Sequence, residues 1–203
     1  MAPIKLLTVT LLSALLAACA TTPTGPLPAT PVAPYRDNIG LSGRLAANYE
    51  KDGKGESVSS VKFIWKQSAA GTDITLYSPL GQTVASISVM PTQATLTESG
   101  KPPRSAADID TLSAQALGWA LPVSGLREWL QGYAAAADGS RFIASQKNDS
   151  VTTRDGWRLH YVSWQDGKPD APPQPKRIDA ERSATASAAE VAIRIVIDEP
   201  DKP

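Results

Sequence analysis

The chain has 203 residues and zero formal net charge, with twenty Lys and Arg balanced by twenty Asp and Glu. This length suits one domain with extensions, and the balanced charge argues against nucleic acid as a partner. One cysteine excludes an internal disulfide, and one histidine without a Cys/His cluster argues against a metal site, so no cofactor is expected.

The first 18 residues have the pattern of a secretory signal. Lys5 precedes an apolar run, residues 6–17, that is too short to span a bilayer stably. The run ends in the motif LAAC at residues 16–19, which resembles a bacterial lipobox. That resemblance implies cleavage before Cys19 and acylation of its sulfur and its new amino terminus. The alternative is an ordinary signal peptide with an incidental cysteine.

A segment rich in Thr, Pro and Ala follows at residues 20–34. It has too few large apolar side chains to fold, so residues 19–38 are predicted to be the lipidated cysteine and a flexible tether. Ala20 rather than Asp follows the cysteine, which by analogy with bacterial lipoproteins implies export to the outer membrane.

Alternating apolar and polar residues then predict a series of short antiparallel strands. They lie at residues 39–49, 58–67, 73–77, 83–89 and 93–98. Each strand has one apolar face, so the predicted sheet is polar on one side and apolar on the other.

The connection between the third and fourth strands contains Pro79, Leu80 and Gly81. Pro and Gly favour a tight turn, and turn tips usually face water. A leucine at this tip either folds back onto the sheet or is an exposed apolar group directed at a membrane or an apolar ligand.

The periodicity then changes to that of helices. Residues 105–117 are predicted to form one helix, with Ser105 as its N-cap, and residues 125–132 a second, with Ser124 as its N-cap. Both are short and need the apolar face of the sheet for stability.

Period two resumes after the helices. Residues 141–146 are predicted to pair with residues 157–164, and residues 177–180 and 191–197 form the last strands. The folded domain is thus expected at residues 39–198, followed by a polar tail at 199–203. The predicted fold class is mainly β with α: a curved, incompletely closed antiparallel sheet whose apolar face is covered by two short helices.

The order and spacing of these motifs resemble the LolB family of outer-membrane lipoprotein receptors, from about Gly40 to Ile197. The motifs that carry the resemblance are the lipobox, SGRL at 42–45, FIWKQ at 63–67, LYSPLG at 76–81, LG at 117–118 with LPV at 121–123, LREWLQG at 126–132, and GW at 156–157 leading into Tyr161. The resemblance implies a half-open antiparallel β-barrel that is capped by helices and encloses a hydrophobic cavity.

The resemblance also implies a function. Members of this family accept lipoproteins from the soluble periplasmic carrier LolA and place them in the outer membrane, binding acyl chains without catalysis. Leu80, with Pro79 and Gly81, matches the family's exposed leucine loop for membrane insertion. We expect a monomer, and we expect the acyl-chain cavity to be lined by the side chains Phe63, Trp65, Leu76, Trp119, Trp129 and Tyr161.

Two other classes of function remain open from the residues alone. A structural or scaffolding lipoprotein would have the same anchor and sheet but a solid core, so that cavity volume distinguishes it. An envelope hydrolase would need a polar cleft around His160, whose simpler interpretation is a surface strand residue. Asp108 and Asp110 could be taken as a catalytic carboxylate pair. They are predicted to lie in a helix's first turn, where acids are common because of the helix dipole. Arg44, Arg127 and Arg158 could meet a polar head group, although surface arginines are usually solvated or paired.

Overall fold

The computed structural model describes residues 29–51, 53–117, 121–167, 171–185 and 190–199. Cys19 and Trp119 lie outside the described residues. Within them, one large antiparallel sheet and one small hairpin account for the strands. The strands are β1 (Ile39–Lys51), β2 (Lys54–Gln67), β3 (Thr72–Tyr77), β4 (Thr83–Met90), β5 (Gln93–Glu98), β6 (Arg104–Ala106), β7 (Tyr133–Ala135), β8 (Arg141–Ile143), β9 (Ser150–Thr152), β10 (Arg158–Trp164), β11 (Pro175–Arg182) and β12 (Val191–Ile197).

Two short helices interrupt the strands: α1 (Ile109–Leu117) and α2 (Val123–Trp129). None of the helices in the described part of the chain has the length and apolarity needed to cross a membrane.

The large sheet runs in the order β6-β5-β4-β3-β2-β1-β12-β11-β10-β9. Adjacent strands from β1 to β6 follow chain order, while β12 joins the two halves by pairing with both β1 and β11. In the described residues β6 and β9 pair with one neighbour each, so the sheet is open between them. An antiparallel, unclosed sheet with two short helices confirms the predicted fold class.

Alternation along the strands places the apolar side chains on one face. In β12, Val191, Ile193, Ile195 and Ile197 are buried, and in β10 Leu159 and Tyr161 are buried between exposed neighbours. The period of two puts each set on the same side of the pleat, where the helices and the β7–β8 hairpin cover it. This pattern confirms the predicted inward faces of the last strands.

The prediction that the first helix begins at residue 105 was wrong. Residues 104–106 form the edge strand β6, which pairs with β5, because the chain continues the meander for one more strand before it turns. The helix starts at Ile109, and its cap is Asp108, whose Oδ1 accepts a hydrogen bond from the backbone N–H of Thr111 at 2.7 Å. Ser105 instead shares a hydrogen bond with Thr95 on the outer face.

The start of α2 also differs from the prediction. Its N-cap position is Pro122, and no side chain caps the helix. Ser124 lies inside the helix, and its hydroxyl donates to Oδ2 of Asp110 at 2.6 Å. Ser124 therefore joins the two helices to each other rather than ending one of them.

The predicted pairing of residues 141–146 with 157–164 was wrong as well. β8 pairs with β7, and β10 pairs with β9 and β11. The strand β9 lies between these two segments and was not predicted, since its three residues are too few to show an alternation. The loop after β8 therefore carries the edge strand of the sheet.

The folded part of the chain begins earlier than the predicted boundary at residue 39. Residues 31–36, here called the N-terminal strap, pack against the β7–β8 hairpin. Val32 is buried and its N–H donates to the backbone oxygen of Ala144 at 3.0 Å. The Tyr133 hydroxyl donates to the Ala33 carbonyl at 2.8 Å.

Candidate functional site

An apolar cavity lies between the sheet and α2, with a volume of about 120 Å³. Every side chain that lines it is apolar. They are Leu45, Ala47, Val58, Val61, Phe63, Trp65, Ile74, Leu76, Ile87, Leu121, Val123, Leu126, Leu130 and Ile195. A cavity without a polar partner for water stays dry and accepts apolar ligands.

The floor of the cavity is built by neighbouring strands. Phe63 on β2 is paired with Leu76 on β3, and Trp65 is paired with Ile74, so these four side chains lie side by side on the inner face. Cross-strand pairs of aromatic and β-branched or apolar residues stabilise such a face. The structure thus brings together three of the six predicted cavity residues, namely Phe63, Trp65 and Leu76.

Gly43 gives Phe63 its room. A Cβ at Gly43 would come within 2.8 Å of the Phe63 ring and would also meet the carbonyl oxygen of Val196. The missing side chain on β1 lets the phenyl ring, which lines the cavity, pack close to the backbone of Gly43.

Trp129 and Tyr161 do not line this cavity. Trp129 folds back over Gly125, where a Cβ would lie 2.6 Å from the indole, and its ring centre is 5.8 Å from that of Trp157. Tyr161 stacks between Phe142 and Trp164, with ring centres at 6.1 and 6.0 Å. Both predicted residues are buried, but in an aromatic cluster beneath the β7–β8 hairpin.

The Tyr161 hydroxyl is part of what holds that cluster to the helix. It donates to the backbone oxygen of Trp129 at 3.2 Å. Burial, with a smaller contribution from the negative charge of Glu128, strongly raises the pKa of Tyr161. Tyr161 therefore stays neutral and serves as a donor rather than as a reactive group.

The roof of the cavity is α2, and Arg127 fastens it to the turn between β2 and β3. Its guanidinium donates from Nη2 to the carbonyl oxygen of Ser68 at 3.1 Å and from Nη1 to the hydroxyl of Thr72. Because Val123 and Leu126 on the same helix line the cavity, these bonds join the roof of the cavity to the sheet. From the sequence, Arg127 was expected either to meet a polar head group or to be a solvated or paired surface arginine.

Leu80 lies at the tip of the β3–β4 loop and is 88% exposed. The loop is closed by its own backbone: Gly81 N–H donates to Ser78 O at 2.9 Å, and Ser78 N–H donates to Gln82 O at 2.8 Å. Gly81 has a φ of 80°, which suits glycine at this turn, while Pro79 is exposed beside it. The leucine does not fold back onto the sheet, which excludes the first of the two interpretations of this loop.

The remaining candidate residues lie on the surface. His160 is exposed, and its Nε2 is 3.7 Å from Oδ2 of Asp149. The neighbouring Ser150 donates its hydroxyl hydrogen to Asp149 at 2.8 Å, so its proton is not directed at the histidine. Arg44 and Arg158 are exposed and form ion pairs with Asp198 and Glu181.

Comparisons with known proteins identify the family of the chain. The family profile described as "Outer membrane lipoprotein LolB" matches residues 37–199. The chain belongs to the LolB family. Among relatives named outer-membrane lipoprotein LolB, that of Cupriavidus pinatubonensis is 39% identical over 166 residues, covering 80% of this chain and 79% of the relative. The LolB of Cupriavidus metallidurans is 38% identical over 192 residues, covering 92% and 91%.

A solved structure of a LolA superfamily protein from Nitrosomonas europaea is 9% identical to this LolB-family chain, with a TM-score of 0.42, and covers 83% of this chain and 90% of its own. The assignment to the LolB family rests on the sequence matches.

Proposed function

We propose that this protein is an outer-membrane lipoprotein, anchored through Cys19, that receives lipoproteins from the periplasmic carrier LolA and inserts them into the outer membrane. The observation that carries the proposal is the apolar cavity of about 120 Å³ beneath α2, lined by fourteen apolar side chains. Membership of the LolB family supports it. The scaffold alternative required a solid core, so the cavity disfavours it.

Acyl chains need a protein route because water opposes their passage. Each methylene left in water costs about 0.8 kcal/mol, and a lipoprotein carries dozens of them, so free transfer is prohibitive. Moving the chains from one apolar cavity to another avoids that cost. A receptor that binds the chains more tightly than the donor takes the cargo by mass action, without a chemical reaction.

The roof must move when cargo enters. Ligand sites usually have volumes of about 300–1,000 Å³, well above the volume of about 120 Å³ beneath α2. α2 has only seven residues, too few for independent stability, and is held by a few identifiable bonds. Outward displacement of α2, after release of the Arg127 bonds, would enlarge the cavity while leaving the sheet intact.

Release into the bilayer is assigned to the Leu80 loop. An exposed leucine on a loop whose turn hydrogen bonds are satisfied internally can enter the lipid without leaving those donors unpaired. The loop would then disturb the lipid locally and give the acyl chains a path out of the cavity. Pro79 and Gly81 maintain the shape of the tip.

The test is acyl-chain uptake by the purified protein, using an apolar fluorophore and a radiolabelled lipoprotein loaded on the donor carrier. We expect saturable binding of the fluorophore and its displacement by transferred cargo. Ile87→Trp, which fills the cavity from β4, should reduce uptake, whereas Val162→Trp on the exposed face of β10 should not. A folded protein that takes up neither fluorophore nor cargo would refute the receptor function.

A further inference from the structure

Two loops lie next to each other at the end of the sheet that carries Leu80. The β3–β4 loop (residues 78–82) and the β5–β6 turn (residues 99–103) connect strand pairs on the same side, and Ser99 N–H donates to Val84 O at 3.1 Å. With strands about 4.8 Å apart, the centres of the two loops are roughly 10 Å apart. The β5–β6 turn therefore lies at the same end of the sheet as Leu80.

The apolar part of this end extends beyond Leu80. Val84, at the start of β4 on the outer face, is 39% exposed. The β5–β6 turn contains Pro102 and Pro103, both exposed and both without an N–H that would need a partner. The turn can therefore approach lipid with few unpaired backbone donors.

The charged part is basic. Lys101 is 63% exposed and bonds Glu98 at 3.0 Å, and Glu98 also bonds Arg104. Lys62, exposed on β2, is paired with Tyr77 at the base of the β3–β4 loop. Lys62, Lys101 and Arg104 against Glu98 make three cations and one anion, or a local charge of +2, on a chain whose net charge is zero.

We propose that these two loops form one bilayer-contact surface, in which Leu80 enters the lipid and the β5–β6 turn places Lys101 against acidic head groups. We call this the Leu80–Lys101 surface. The proposal rests on the proposed function and adds to it the lipid chemistry that the protein recognises. Opposite charge attracts the turn to an acidic leaflet, and each lysine close to such a surface strengthens binding about fivefold.

The geometry of the anchor allows this contact. The N-terminal strap lies at the opposite end of β3, where the Tyr35 hydroxyl accepts a hydrogen bond from Gln67, the residue paired with Thr72. β3 has six residues and so spans roughly 20 Å. The ten residue steps from Cys19 to Ala29 can reach up to about 35 Å. A protein anchored through Cys19 can therefore bring its far end to the same bilayer.

The experiment uses the full, lipidated chain reconstituted in vesicles of phosphatidylcholine with or without phosphatidylglycerol. The chain has one cysteine, which carries the lipid, so Ser99→Cys introduces a single free thiol for an environment-sensitive fluorophore. We expect protection of this fluorophore from a water-soluble quencher in the acidic vesicles. A fluorophore at Ser140→Cys, in the β7–β8 turn, should remain accessible in both.

Charge variants then test the role of the lysine. Lys101→Gln should lower the ratio of protected to exposed fluorophore at residue 99 about fivefold in the acidic vesicles. Lys147→Gln, an exposed lysine in the β8–β9 loop, is the matched control and should leave the protected fraction unchanged.

The outcomes separate this proposal from the proposed function. A fluorophore at Leu80→Cys that is protected while the one at residue 99 stays in water overturns the two-loop surface and leaves the receptor function standing. Equal protection at residue 99 in both kinds of vesicle, or no effect of Lys101→Gln, overturns the recognition of acidic lipid. Failure of cargo uptake, measured separately, counts against the receptor function itself.

Discussion

Arg127 on α2 and Ser68 in the β2–β3 turn are joined by a hydrogen bond of 3.1 Å, from the guanidinium to the carbonyl oxygen. A second bond, to Thr72, strengthens the same link. The two residues are 59 positions apart in the chain, so the bond joins the cavity roof directly to the sheet. We predict that the ease with which the cavity opens depends on this link.

Arg127→Met should therefore loosen the roof. The substitution keeps an apolar stem of similar length and removes the charge-assisted bonds, which are worth about 1–3 kcal/mol in total. We expect faster uptake of an apolar fluorophore and faster hydrogen exchange in α2. Stopped-flow fluorescence and exchange mass spectrometry measure the two effects.

Arg36→Met is the matched control, because Arg36 bonds Gln131 only through its backbone N–H and carbonyl oxygen. Unchanged uptake kinetics in Arg127→Met would show that these bonds do not limit opening.

Leu80→Glu should abolish membrane insertion while leaving the fold intact. The side chain is 88% exposed, so its replacement should change the free energy of unfolding by less than about 0.5 kcal/mol. A carboxylate at this tip is costly to place in lipid. Delivery of radiolabelled lipoprotein into vesicles should stop, and cargo uptake from the donor should continue.

Leu80→Met keeps an apolar tip and should deliver normally. Normal delivery by Leu80→Glu would remove the insertion role from this loop.

Gly43→Ala should destabilise the protein by about 1–3 kcal/mol, since the new Cβ overpacks a filled site against the Phe63 ring and the Val196 carbonyl. Urea unfolding measures the change. Gly40→Ala on the same strand has no atom within 4 Å of the new Cβ and should cost little. Equal stability of the two variants would mean that Gly43 is not needed for the packing of Phe63.

Val32→Ala should test the N-terminal strap. Val32 is 6% exposed and lies against Gly132 and Ala144. Loss of two buried methyl groups should lower the free energy of unfolding by about 1–2 kcal/mol and make the strap more sensitive to limited proteolysis. Val84→Ala, at a more exposed valine, should change the free energy of unfolding much less. A strap that is cleaved equally fast in the native protein and in Val32→Ala would contradict its docking.

Tyr161 should make the protein less stable in alkali. Burial raises its pKa in the folded state above the ordinary value of 10.0, so the unfolded chain loses this proton at a lower pH than the folded chain does. Stability does not depend on this group below pH 10, and it falls as pH rises from about 10 toward the raised pKa.

Tyr161→Phe removes this pH dependence, at the cost of the hydrogen bond to Trp129. The difference between the urea midpoints at about pH 9 and about pH 11 should be larger in the native protein than in the variant. Tyr133→Phe removes the hydroxyl that donates to the Ala33 carbonyl, so it controls for the loss of a tyrosine hydrogen bond. An identical loss of stability with pH in native protein and Tyr161→Phe would disprove the assignment.

The candidate site was only partly predictable from residues. Pro79 and Gly81 bracket a leucine, which predicted a tight turn but left open whether the leucine folds back onto the sheet. Leu80 is exposed, and the turn is closed by hydrogen bonds of its own backbone. Trp129 and Tyr161 have the periodicity of inward residues and are indeed buried. Periodicity reports burial but not which part of the interior a side chain reaches, so their placement beside the cavity was wrong.

Local capping signals were similarly incomplete. Ser105 and Ser124 have side chains that suit helix N-termini. In the structure, Ser105 instead lies in a strand that pairs with β5, and Ser124 bonds Asp110. That Arg127 joins α2 to the sheet could be recognised only from the position of Ser68, which is distant in the chain. Val32 lies in a segment with the composition of a tether, but it is buried against Gly132 and Ala144, which are a hundred or more positions away in the chain.

Residue patterns alone indicated which side of each long strand faces the interior and that the chain folds into a β-rich domain, and residues 16–19 predicted its lipid anchor. These features depend on side-chain periodicity and on neighbouring residues, which a linear reading contains. The tertiary structure decided that β12 joins the two halves of the sheet, that α2 leaves an apolar void, and that the β5–β6 turn lies beside Leu80. Those relations depend on free-energy differences among distant contacts, and no local pattern encodes them.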